Sequence, residues 1–160
     1  MTDPAAWPAP LQDLLDTLAW LSPQEQYALL IEHADAFEPV PASIATPPYP
    51  EANRVPHCES GAYVWTVEDP EQHRVRCYFA VENPQGLTAR ALAHILQTLC
   101  AQAPAWQLAA LPDDLPQRLF GSRLSMGRTL GLNGLLARVK AAARAHVASC
   151  PACQAHLPRA

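Results

Sequence analysis

The chain has no apolar run long enough to cross a bilayer, which excludes a helical membrane anchor. Met1-Thr2-Asp3-Pro4 places no basic region ahead of an apolar stretch, so no secretory leader is expected and the cytoplasm is. Basic residues are in deficit. Eleven Lys and Arg face fifteen Asp and Glu, giving a formal charge of −4, which argues against non-specific nucleic-acid binding. An even cysteine count is also missing. Five cysteines leave one without a partner, so a disulfide framework fits poorly, and cytoplasmic thiols should be free, metal ligands or catalytic. There is no internal repeat. What the chain does have is apolar material: 49% of 160 residues, enough for one core and too much for wholesale disorder.

Periodicity gives the elements. Residues 1–10, rich in Pro and Ala, are expected to be disordered. Leu11, Leu14, Leu15 and Leu18 then mark one helix face. Ser22-Pro23-Gln24-Glu25 is a capping-box helix start, with Tyr27, Leu30, Ile31 and Ala34 as the apolar face that follows. Six prolines between 38 and 56 predict extended coil, long for a loop within one domain. Ala62–Glu68 and Val75–Val81 read as strands joined by a turn at 69–73; in the second, Val75, Cys77, Phe79 and Val81 alternate with polar residues. Thr88 caps a helix with Leu92, Ile95, Leu96 and Leu99 inside. Short helical patterns broken by proline fill 104–126. A long helix from Arg128 to about Ala148 buries Leu132, Leu135, Leu136, Val139 and Ala143, with Arg138, Lys140 and Arg144 on or near the other face. The class is α+β: a small antiparallel sheet flanked by N-terminal and C-terminal helices, in one domain over 11–148 with a tail at 149–160.

Asn53-Arg54-Val55-Pro56-His57-Cys58-Glu59-Ser60 sits between the proline-rich stretch and the first strand. Its polar composition predicts a cysteine near the surface. Arg54 and His57 are close enough in sequence to favour a thiolate, the reactive form, whereas the bland reading is a loop cysteine without a role. A Cys–His hydrolase is a weak alternative, since its histidine should come from elsewhere in the fold. Arg54-Val55-Pro56, Cys58 and Ser60, the Tyr63-Val64-Trp65 strand and the Arg128-Thr129-Leu130-Gly131-Leu132 helix start together resemble the SufE family over roughly residues 11 to 147. The resemblance implies a SufE/IscU-like fold. It also implies a carrier that takes persulfide sulfur from a SufS-type, pyridoxal-phosphate cysteine desulfurase onto Cys58 and relays it to an iron–sulfur scaffold. Such a protein is a partner and activator of the desulfurase rather than a stand-alone enzyme, and it requires no cofactor of its own. Arg128 would support the loop or pair with an acidic partner group; the bland reading is a solvated arginine.

Two positions depart from the family's loop. His57 stands where the family has Gly, and Glu59 where it has Gln. Histidine takes positive φ less readily than glycine, so a loop of different shape is expected, with His57 available to tune the thiol. Glu59 would disfavour a thiolate.

Of the other cysteines, Cys77 and Cys100 fall on buried stripes and read as structural. Cys150-Pro151-Ala152-Cys153, flanked by His146 and His156, has the composition of a two-Cys, two-His zinc site; a redox-active pair, a disordered tail and a casual disulfide are the alternatives. A zinc-binding interaction module built on this segment is the second functional reading. His33, His73 and His94 show no ligand spacing and read as surface residues.

Overall fold

A computed structural model describes residues 7–157. Helix α1 (Ala9–Trp20) turns Leu11 and Leu18 inward. Helix α2 (Pro23–Ala36) begins on the expected capping box: Ser22 Oγ accepts from the Glu25 N–H at 3.2 Å, and the Ser22 N–H donates to the Glu25 carboxylate at 2.8 Å. The fold starts earlier than expected. Trp7 is buried in the core, with the Arg118 guanidinium 5.2 Å from its ring centre, and Ala9 and Pro10 are helical. The rest of the segment expected to be disordered, residues 1–6, lies outside the described residues.

Strands β1 (Ala62–Asp69) and β2 (Arg74–Val81) pair antiparallel, with Ala62 opposite Val81 and Asp69 opposite Arg74. A two-stranded hairpin is marginal alone. Here Val64, Val75, Cys77 and Phe79 face the main core. The other face is covered too. The proline-rich segment crosses it, with the Val40 N–H donating to Phe79 O at 2.7 Å and Tyr49 against Tyr63 and Trp65 at ring separations of 5.2 and 5.1 Å. Tyr63 and Ala80 are therefore buried with Val40 in a satellite cluster, and the hairpin does not have the single buried face that its alternation predicts.

Helix α3 (Leu87–Gln102) buries Leu92, Ile95, Leu96 and Leu99 as expected, but Gly86 precedes it and Thr88 lies inside its first turn, so Thr88 caps nothing. Short helices α4 (Ala105–Ala109) and α5 (Leu115–Phe120) follow. Helix α6 (Met126–Ala148) starts at Ser125, whose Oγ accepts from the Arg128 N–H at 3.2 Å. Lys140 is not on its solvent face. It is 2% exposed, its ammonium donating to Leu111 O at 2.5 Å and to the Asp113 carboxylate at 2.6 Å. Helix α7 (Pro151–Gln154) closes the described chain; Cys150 and Cys153 belong to the core, so the expected tail is folded through residue 157. The architecture is α+β, with helices on both sides of the hairpin in sequence. No described helix is long and apolar enough to cross a membrane.

Candidate functional site

The segment leading to Cys58 is tied at its base. The Val55 N–H donates to Ala62 O at 2.8 Å, the Asn53 side-chain amide donates to Val64 O at 2.9 Å, and Arg54 bridges to Tyr63. The Gly61 N–H turns back to Cys58 O at 3.1 Å. Two left-handed residues make this reversal possible, His57 at φ 60° and Gly61 at φ 65°. The histidine at 57 thus does take positive φ, the conformation a glycine would supply. Its side chain is exposed and does not wall the cavity described below, so its contribution here is backbone conformation.

Helix α6 receives the loop through two glycines. A Cβ on Gly131 would stand 2.9 Å from Cys58 Cα and 3.3 Å from its Sγ, and one on Gly134 would stand 2.9 Å from Val55 Cγ1. One turn further, Arg138 donates to Ala52 O at 3.1 Å and Arg54 O at 3.0 Å, clamping the loop's base to the same helix. Cys58 is consequently 8% exposed, which corrects the near-surface placement expected from its polar neighbours. Pro56, His57 and Glu59 beside it are exposed, while Cys58, like Val55, turns inward.

The thiol gives onto a cavity of about 540 Å³. Tyr27, Leu30, Phe120 and Leu132 form its apolar wall, and Glu59, Ser60, Arg123 and Arg128 its polar one. Arg123 is held in place, hydrogen-bonded to Pro23 O and lying 5.7 Å from the Tyr27 ring centre. Arg128 reaches the same cavity from the start of α6 and is exposed. The result is a buried thiol with room beside it, at the edge of a cavity whose lining carries two guanidiniums and the Glu59 carboxylate.

The other thiols separate into two pairs. Cys100 donates to Cys77 in the core between α3 and β2, and burial, followed by that hydrogen bond, pushes the Cys100 thiol well above its usual range. Burial thus keeps the Cys100 thiol protonated, and both sulfurs lie inside the core. Cys150 and Cys153 meet a histidine that the sequence did not suggest. His73 Nδ1 lies 3.3 Å from Cys150 Sγ, and one ligand atom from each of the three lies within 4.8 Å of the others. Burial and the neighbouring Cys150 raise the Cys153 thiol to about 11, while the Trp106 backbone acts in the opposite direction. His146 and His156, expected as the partners of this pair, go elsewhere. His146 is buried with its Nδ1 3.3 Å from a Glu68 carboxylate oxygen, and His156 stacks on Trp106 at 4.6 Å.

Residues 12–143 match the family described as "SufE: Fe-S metabolism associated domain". Proteins from two strains of Mycobacterium tuberculosis, each named an uncharacterized SufE-like protein, are 30% identical over 141 residues, covering 88% of this chain and 95% of theirs. The solution structure of a hypothetical protein from Thermus thermophilus aligns with a TM-score of 0.69 at 22% identity, covering 89% of this chain and 98% of that one, and shares the fold. Cys58, Arg128, Gly131 and Arg138 fall inside the family match; Cys150 and Cys153 fall beyond it.

Proposed function

Because this chain belongs to the SufE family, associated with iron–sulfur metabolism, we propose that it takes up sulfur on Cys58 from a SufS-type cysteine desulfurase and relays it to an iron–sulfur cluster scaffold. The observation that carries the reading is the seating of Cys58: a single thiol on a reversed loop, backed by Gly131 and opening onto a cavity with space for an added sulfur atom. The Cys58 thiolate attacks the outer sulfur of the desulfurase persulfide. The S–S bond of the donor breaks, the donor cysteine leaves as a thiolate, and Cys58 becomes the persulfide, with no net oxidation or reduction. The cavity then receives the outer sulfur, with Arg123 and Arg128 in its lining favouring negative charge and Glu59 opposing it.

Burial of the thiol sets a condition on transfer. A thiol on a residue only 8% exposed does not reach a partner's active site, so the tip of the loop leaves α6 at each exchange while Arg138 keeps the base attached. Docking of the desulfurase supplies the free energy for that opening.

The test is mass spectrometry after incubation with a cysteine desulfurase and cysteine. A Cys58 peptide should gain sulfur mass, the Cys58→Ser variant should gain none and should not stimulate the desulfurase, and Cys77→Ser and Cys150→Ser should behave as the parent protein. Sulfur uptake by folded Cys58→Ser would refute the assignment.

A further inference from the structure

The hairpin turn and the end of α6, 77 residues apart at their closest ligands, bring two thiols and an imidazole together. We propose that His73, Cys150 and Cys153 form a zinc site that fastens the C-terminal segment to the hairpin. This site is separate from the sulfur-carrier loop and does not depend on that reading.

The geometry is close to what the metal requires. In a tetrahedral zinc site a thiolate sulfur and an imidazole nitrogen stand about 3.6 Å apart. His73 Nδ1 and Cys150 Sγ stand at 3.3 Å, and the Cys153 sulfur completes a triangle with no side above 4.8 Å. Two thiolates and one imidazole are a zinc donor set; calcium and magnesium prefer oxygen. Cys150 and Cys153 bracket the start of α7, where the Cys153 N–H donates to Cys150 Sγ at 3.3 Å and helps to hold both sulfurs on one side.

His73 is the more telling residue. It ends the hairpin turn at φ 55°, a left-handed conformation that glycine takes more easily. Its backbone is bound on both sides, the N–H donating to Pro70 O at 3.4 Å and the carbonyl accepting from the Ala105 N–H at 2.9 Å. A histidine held rigidly where glycine would be less strained, with its ring against a buried thiol, fits a ligand better than a surface side chain. His73 is exposed while both cysteines are buried, so the three ligands sit at the protein surface, and a tetrahedral zinc would take its fourth ligand from outside this set.

The experiment uses the full chain, reduced, stripped by a chelator and titrated with zinc alone, with cobalt as the spectroscopic probe. One equivalent of zinc should bind, cobalt should show thiolate charge-transfer absorption, and the melting temperature should rise on zinc addition. Cys150→Ser and Cys153→Ser should weaken binding by more than about 100-fold, beyond the loss typical of an outer ligand partner. His73→Ala should weaken it and change the cobalt spectrum, and Cys58→Ser should bind as the parent does. Sub-stoichiometric zinc, a Cys150–Cys153 disulfide with no zinc uptake after reduction, or unchanged affinity in folded Cys150→Ser would overturn the proposal. Unchanged affinity in His73→Ala would remove His73 from it.

Discussion

A methyl group at Gly131 would compete for space with Cys58, whose Cα would lie only 2.9 Å away. Real carbon atoms do not approach so closely, and the atom in the way is backbone rather than a flexible side-chain end, so the loop would have to move. Gly131→Ala should therefore destabilise the protein by about 1–3 kcal/mol, the usual range for overpacking, and raise the rate at which an alkylating reagent reaches Cys58. Urea unfolding and mass-detected alkylation measure the two effects; an unchanged alkylation rate would show that Gly131 does not set the seat of the thiol. Arg54-Val55-Pro56 and Ser60 are what single out Cys58 in the sequence. Its glycine partner was visible only as part of a helix start, since the contact joins residues 73 positions apart. Burial of Cys58 was misjudged for the same reason: neighbouring polarity reports on the loop, not on what the loop packs against.

Helix α6 does three jobs along its length. Gly131 and Gly134 accept the loop, Arg138 clamps its base, and Lys140 anchors the segment after α4. Helical periodicity predicted the apolar stripe, but it assigned Arg138 and Lys140 to the outer face because charge alone suggested solvent. The structure gives each a carbonyl to satisfy, and long side chains reach such acceptors across several ångströms. Arg138→Ala should free Ala52 O and Arg54 O, cost about 1–3 kcal/mol for the charged hydrogen bonds, and speed hydrogen exchange at the Val55 and Gly61 amides. Arg138→Lys should restore little, because one ammonium does not reproduce the guanidinium's fork. Exchange at those two amides matching the parent in Arg138→Ala would refute the clamp.

At the scale of the molecule, His33 and Asp113 each tie stability to acid. His33 on α2 is half-buried beside His94 of α3, ring centres 5.3 Å apart; burial, then the neighbouring His94, lowers its pKa below the ordinary 6.5, with Glu32 opposing. The folded state thus takes up this proton later than the unfolded chain. Its contribution is complete above 6.5 and is lost as the pH falls from there through the folded value. Asp113 is lowered below its ordinary 3.8, chiefly by the hydrogen bond from Lys140, and behaves likewise in a more acid window. Urea midpoints should therefore fall on acidification, in a first step below 6.5 that His33→Gln diminishes and in a more acid step that Asp113→Asn diminishes. A first step that survives undiminished in His33→Gln would assign it to another group. Neither step was foreseeable from sequence, since His33 and His94 lie 61 positions apart and Lys140 and Asp113 lie 27 apart.

Local signals were enough for the elements. The capping box at Ser22 and Glu25, the period of the long helix, the strand residues on either side of Asp69-Pro70 and the loop motif at Cys58 depend on spacings of a few residues, where backbone geometry leaves little choice. Tertiary structure decided what those elements do to one another. It turned Cys58 inward against Gly131, covered the second face of the hairpin with the proline-rich segment, and brought His73 to Cys150 and Cys153 in place of His146 and His156. Each is a contact between distant parts of the chain, selected by packing and burial of the whole rather than by any residue's neighbours.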